Sequence, residues 1–268
     1  MRIARFAVAG KDPAYGIIEL AVDGGEHPDT IAVINNDPLA GLPVNYTGER
    51  HALEDVRLLA PVIPRSKIVA VGKNYADHAA EMGGEVPQGA PLLFFKPNTS
   101  VIGPDEPIVR PAGCQELHYE GELAVVIGRI CKEVPAERVK EVIFGYTIAN
   151  DVTARDWQHA DAQWARAKGS DTFCPLGPWI NTHLGLDEAA HLGIETSLNG
   201  QVRQSGNTSQ MARGISELVQ FVSGFTTLLP GDVILTGTPA GVGAMADGDV
   251  VTVEIDGLGR LSNPVAAS

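Results

Sequence analysis

Hydrophobic positions along this chain come in short runs cut by turn chemistry, not in long helical stripes. In YGIIELAVDGG, Ile18, Leu20 and Val22 alternate with Glu19, Ala21 and Asp23. That period of two turns side chains to opposite faces of a strand, and the Asp23-Gly24 pair after it predicts a hairpin. Short segments of the same kind recur at TIAVIN and RLLAPVI, and a proline-flanked join from Pro61 to Pro64 leads into the apolar run KIVAV. The join predicts a small N-terminal β module over 1–63 and a larger domain over 64–268. Within the larger part, ELAVVIGRI and FGYTIANDV read as strands, and PAERVKEVIF as a helix opened by Pro135. Ile215, Leu218, Val219 and Val222 fall at i, i+3, i+4 and i+7, which predicts an amphipathic helix stopping near Gly224. PGDVILTGTPAGVG and DGDVVTVEIDGLGRL add strands joined by Asp-Gly turns. The expected fold class is β-rich mixed α/β, a distorted barrel or stacked sheets with a few helices.

Composition narrows the chemistry. The 268 residues carry 20 Lys plus Arg against 33 Asp plus Glu, a formal net charge of -13. A field of that sign repels phosphate backbones and anionic membrane surfaces, so nucleic acid and membrane are not expected partners. The three cysteines, Cys114, Cys131 and Cys174, are odd in number and lack CxxC spacing, which gives neither a disulfide framework nor a thiolate zinc site. The segment MRIARFAVAGKDPAYG has no apolar signal-peptide core, and the expected location is the cytoplasm.

GxSxG, HExxH and the P-loop are missing, so any catalysis must come from polar groups on several elements. HYEGELAVVIG carries the strongest signal. On a strand, His118, Glu120, Glu122 and Ala124 share one face. Two carboxylates about 6 to 7 Å apart are costly on a buried surface unless a cation or proton lies between them. Asp151 ends the next apolar strand, and if the two strands are neighbours it completes a three-carboxylate set. Such an all-oxygen set suits Mg²⁺ or Mn²⁺ before Zn²⁺. The same glutamates would equally suit the solvent face of a half-buried strand. His78 and Glu81 stand at i, i+3, so one helical turn puts them on one face, where the carboxylate can orient the imidazole for proton transfer or water activation; an exposed helical pair is the plain alternative. The Gly83-Gly84 pair and EVPQGAP after them suit a mobile lid. Lys73, Lys96, Arg155 and Lys168 lie in Gly-, Pro- or polar-rich segments and could hold a substrate carboxylate, or could be solvated surface charges. Gln158 follows in the same polar run as Asp151.

Together these segments resemble the fumarylacetoacetate hydrolase family, in order, from about Val69 to Val251. The matching blocks are VGKNYADHAAEM, LLFFKPNTSVIGP, LHYEGELAVVIG, FGYTIANDVTARDWQ, KGSDTFCPLGPWI, LNGQVRQSGNTSQM and GDVILTGTPAGVG. The resemblance implies a distorted β-barrel or β-roll catalytic domain, usually in homodimers, and a short branch of the family that includes acylpyruvate hydrolases, oxaloacetate decarboxylases, and isomerases or decarboxylases of diacids from aromatic catabolism. It puts the metal carboxylates on Glu120, Glu122 and Asp151, with Mg²⁺ or Mn²⁺ as cofactor. The catalytic positions fall on His78, Glu81 and Lys168, and the substrate-binding ones on Lys96, Arg155, Gln158 and Thr238. The activity it implies is metal-dependent carbon-carbon bond hydrolysis of an acylpyruvate-type 2-oxo or 2-hydroxy-dienoic acid through a metal-stabilised enolate. Isomerisation of 2-hydroxyhepta-2,4-diene-1,7-dioate or decarboxylation of an oxo-diacid is the alternative. A noncatalytic metal-binding homologue is the reading from another class.

Overall fold

The computed structural model describes residues 1–21 and 28–268. The predicted Asp23-Gly24 turn lies outside the described residues, but the strands on either side of it, Ala14–Glu19 and Thr30–Ile34, do pair antiparallel. With Arg2–Ala7 and Tyr46–Ala52 they form a meander. It joins the rest of the molecule through Arg2, which pairs with Asn181 on the strand Cys174–Asn181.

The N-terminal strands therefore extend a 12-stranded sheet, whose path runs from Tyr46–Ala52 at one edge to Leu92–Lys96 at the other. Among the described residues this sheet stays open, so stacked sheets, and not a closed barrel, describe the architecture. At its centre, Gly121–Ile127 pairs antiparallel with Ile143–Asn150 on one side and with Val233–Leu235 on the other. Every residue of Gly121–Ile127 is buried, which excludes a solvent face for Glu122. The alternation survives as two different interiors. Leu123, Val125 and Ile127 pack into a core with the helix Ile215–Phe225 and with Ile194, Val253 and Ile255 of a 5-stranded sheet. Ala124 and Val126 pack the other way, against Ala60, Val62 and Ile180. A strand covered on both sides reads as a continuous apolar run, as ELAVVI does.

The helix appears as predicted, with Ile215, Leu218, Val219 and Val222 buried. PAERVKEVIF departs from prediction. Ala136–Glu141 is 3-10 helix, with Arg138 and Val142 donating to the carbonyls of Pro135 and Val139 three residues back. The strand starting at Ile143 leaves too few residues for an α-helix to establish itself. No helix of the described chain is long and apolar enough to cross a membrane.

The feature that positions the site is a simultaneous break in two neighbouring strands. Leu117–Tyr119 and Thr153–Ala154 belong to a separate 3-stranded sheet, together with Gly243–Met245. Their continuations, Gly121–Ile127 and Ile143–Asn150, belong to the large sheet. The chain crosses between sheets at Glu120 on one strand and at Asp151 and Val152 on the other, and the Asp151 N–H donates to the Glu120 carbonyl at 2.8 Å. Where two strands leave a sheet together, side chains beside the break need not point up or down from it. They converge on the gap.

Candidate active site

Glu120, Glu122 and Asp151 are all buried, and each offers a carboxylate oxygen within 4.8 Å of the others. Three anions this close in a dry interior need compensating charge. Arg155 Nη2 donates to Glu120 Oε1 at 2.6 Å, and Lys168 Nζ bridges Glu120 Oε2 and Asp151 Oδ2 at 2.7 Å each. Burial pushes the Glu120 carboxyl up, but Lys168 and Arg155 outweigh it and hold the group well below the usual carboxylate range. Burial likewise favours neutral Lys168, while Asp151 and Glu120 reverse that and keep it a cation. Among the described residues Glu122 has no such partner. Burial first, then the charges of Asp151 and Glu120, drive its carboxyl well above the ordinary range, and its one hydrogen bond comes from the Gly237 N–H at 2.7 Å.

The donors fit a hard divalent cation. They are all oxygen, one of them is driven toward protonation by its anionic neighbours, and the buried Asp151 Oδ1 receives no directed hydrogen bond among the described residues. Lys96 Nζ does lie 2.6 Å from that oxygen. Its three protons, however, go to the carbonyls of Val152 at 3.2 Å, Phe173 at 2.7 Å and Lys168. The ammonium gives Asp151 its charge without occupying the lone pairs that a metal would use.

His78 and Glu81 both lie on the helix Ala76–Glu81, as their spacing predicts, with His78 Nδ1 3.4 Å from Glu81 Oε2. The imidazole is buried at 5% exposure while Glu81 stays exposed, so only the carboxylate fits the exposed-pair alternative. A carboxylate can only accept, so Nδ1 carries the proton, and the lone pair of the neutral imidazole is then on Nε2. Glu81 is itself held by the Gly241 N–H, at 3.1 and 3.2 Å from its two oxygens.

A cavity of about 140 Å³ collects His78, Glu120, Arg155, Gln158 and Lys168 on one wall system, with Lys73, Phe94 and Trp164 completing it. Gln158 Oε1 accepts from Arg155 Nη1 at 2.5 Å, which leaves its amide N–H groups available to the cavity. A larger cavity, about 1140 Å³, lies beside Leu58, Trp179 and Glu254 and touches none of the predicted site residues. Volume alone favours it, but the converging buried charges belong to the smaller one.

Two of the predicted substrate-binding residues do not line that cavity. Lys96 is enclosed at 2% exposure and committed to backbone carbonyls as described. Thr238 donates its hydroxyl to the Gly121 carbonyl at 2.8 Å and accepts from Gln204 Nε2 at 2.7 Å, while Gln204 Oε1 takes the Gly121 N–H at 3.0 Å. Thr238 and Gln204 thus grip both sides of the residue between the two glutamates. Gln204 was not singled out from the sequence, because an isolated amide carries no local signal. His118 was placed on the Glu120 face but given no role. Its Nδ1 accepts from Arg155 Nε at 3.4 Å and its Nε2 donates to Glu116 Oε1 at 2.7 Å, so a buried imidazole braces the guanidinium. Burial, then the charge of Arg155, hold His118 below the usual histidine range and keep it neutral. Its place on the Glu120 face of HYEGE was the available signal.

Residues 67–266 match the family described as fumarylacetoacetate (FAA) hydrolase C-terminal, and residues 1–61 match one described as Rv2993c-like, N-terminal. The chain belongs to the fumarylacetoacetate hydrolase family. Its relatives include Protein Rv2993c of Mycobacterium tuberculosis, 52% identical over 99% of this chain and 98% of that protein. The mitochondrial oxaloacetate tautomerase fahd2 of Xenopus laevis is 44% identical over 79% of this chain and 69% of that protein. Among solved structures, 5-carboxymethyl-2-hydroxymuconate delta-isomerase from Mycobacterium smegmatis covers 100% of both chains at 49% identity and a TM-score of 0.89. Maleylpyruvate hydrolase from Sphingobium sp. SYK-6, solved with manganese(II) and pyruvate, does so at 32% identity and a TM-score of 0.80. The β-rich fold is that of the family, whose named members are hydrolases, isomerases and tautomerases.

Proposed function

We propose that this chain is a divalent-metal-dependent enzyme that moves protons on 2-oxo or 2-hydroxy-dienoic diacids, as a tautomerase or isomerase. The observation that carries the reading is a base, His78 Nε2, oriented by Glu81 and lining the same small cavity as Glu120, Arg155 and Lys168. Glu120, Glu122 and Asp151 would hold Mg²⁺ or Mn²⁺, which supplies positive charge for the negative charge that develops on an oxo-acid oxygen. Arg155, braced by His118, and the Gln158 amide bind the substrate carboxylate. Lys168 stays cationic and steadies the oxo oxygen. His78 Nε2 takes a proton from the carbon next to the oxo group and returns it elsewhere, while Glu81 holds the imidazolium in place. Phe94 and Trp164, 5.5 Å apart edge to face, exclude water from that transfer.

Carbon-carbon bond hydrolysis is the second reading, with His78 delivering water to a distal carbonyl, and it is favoured by the maleylpyruvate hydrolase neighbour that holds manganese and pyruvate. The first is preferred because the relatives named tautomerase and isomerase share 44% and 49% identity, against 39% and 32% for the two named hydrolases. The test is to incubate purified protein with Mg²⁺ and oxaloacetate, 2-hydroxy-dienedioates and acylpyruvates, following ultraviolet absorbance and mass. Isomerisation without mass loss, stopped by a chelator, is expected. No turnover of any of them, or turnover that ignores chelation, would overturn the reading.

A further inference from the structure

The cavity wall contains one cation with nothing to balance it. Arg155 and Lys168 are neutralised by Glu120 and Asp151 at 2.6 to 2.7 Å. Lys73 lines the same cavity and makes no ion pair or side-chain hydrogen bond among the described residues. It follows directly on the strand Ile68–Gly72 and holds φ at 56°, the left-handed region that side-chain-bearing residues avoid. The half-buried side chain is also covered: a Cβ added to Gly84 would stand 2.6 Å from Lys73 Nζ. The Gly83-Gly84 turn beyond the His78 helix therefore runs close beside the ammonium, and a side chain at position 84 would push the flexible lysine tip aside. An ammonium with no paired carboxylate among the described residues, on a wall it shares with Phe94, Trp164 and the already paired Glu120, Arg155 and Lys168, suits an anion from the ligand.

We infer that Lys73 is a specificity-determining residue that takes the second, distal carboxylate of the substrate. The inference rests on the proposed oxo-diacid chemistry and assigns the second carboxylate of those diacids to a residue of its own. The first carboxylate and the oxo group are met by Arg155, Gln158 and Lys168. A dianion gives Lys73 a partner, whereas a monoanion of the same shape leaves it without a counter-charge. The cavity of about 140 Å³ is well below the roughly 300 Å³ of sites for drug-sized ligands, so the diacid is short.

The test compares two oxo acids of nearly equal shape, 2-oxoglutarate and 5-methyl-2-oxohexanoate, in which an isopropyl group replaces the distal carboxylate. Binding to the Mg²⁺-loaded protein is measured by isothermal titration for wild type, Lys73→Met and Lys73→Arg. Wild type should bind the dianion about tenfold or more tighter, in line with one charge-assisted hydrogen bond. Lys73→Met should lose that preference by weakening the dianion alone, and Lys73→Arg should restore most of it. Equal binding of the two acids by wild type, or equal weakening of both in Lys73→Met, would overturn the inference. Wild type that binds neither acid would count against the oxo-acid reading itself. If Lys73→Met fails to fold, the wild-type ratio and Lys73→Arg still decide.

Discussion

Glu122 is the residue whose state depends most on what fills the gap between the strands. Burial and the two neighbouring carboxylates raise its folded-state value above its unfolded one, so protonation favours folding. That contribution is fully present below the unfolded glutamate value of about 4.3 and is lost as pH rises through the folded value. Metal-free protein should therefore lose thermal stability as pH rises above that unfolded value, and Glu122→Gln should flatten that loss in melts recorded with a chelator present. A slope in Glu122→Gln as steep as in wild type would exclude Glu122 as its source. A cation must displace the Glu122 proton, so Mg²⁺ binding should release protons and tighten with pH, measurable as a buffer-dependent heat in titration calorimetry. His118 makes a separate prediction. His118→Leu removes the acceptor for Arg155 Nε and should raise KM for an oxo acid about tenfold or more, with a smaller change in kcat, because the guanidinium binds substrate and does not take its proton. His118→Asn, which can still accept from Arg155, should recover part of the loss. Falls in kcat and kcat/KM by the same factor would contradict a bracing role.

At the scale of elements, the helix bearing His78 is aligned from outside itself. It has six residues and no side-chain cap hydrogen bond, so it depends on Glu81 docking to the Gly241 N–H. Gly241 holds φ at 101°, and a Cβ there would lie 2.1 Å from the Arg203 carbonyl oxygen. Gly241→Ala should cost about 1 to 3 kcal/mol in urea unfolding and reduce turnover by moving the loop away from Glu81. A variant as stable and active as wild type would show that the docking is dispensable. This level also separates what was readable in the sequence from what was not. The Ile215–Phe225 helix and the central apolar strands follow from local periodicity. The carboxylate trio was legible because Glu120 and Glu122 interrupt an apolar run, where charge is expensive. The break that aims them was not, since it depends on Gly121 being gripped by Gln204, 83 residues away, and by Thr238, 117 residues away. Lys96 was expected to bind substrate, and nothing local told that three carbonyls from distant segments would enclose it.

Across the whole molecule, the net charge of -13 and a small anionic substrate are reconciled by placing the cations inside. Lys96, Lys168 and Arg155 are each at most 3% exposed, and a divalent ion would leave the cavity positive within an acidic shell. The 12-stranded sheet supplies the rigidity, because Glu122 lies on one of its buried central strands and Glu120 and Asp151 directly adjoin two of them. Metal binding should then stabilise the entire fold by mass action, with a melting temperature that rises with Mg²⁺ or Mn²⁺ concentration. The most direct test of the account is a Mn²⁺ titration followed by electron paramagnetic resonance on wild type, Glu122→Gln and Asp151→Asn. One ion per chain in wild type, with affinity lower by about 100-fold or more in each variant, is the predicted result. No stoichiometric binding by wild type, or unchanged affinity in the variants, would contradict the carboxylate centre on which the proposed chemistry depends.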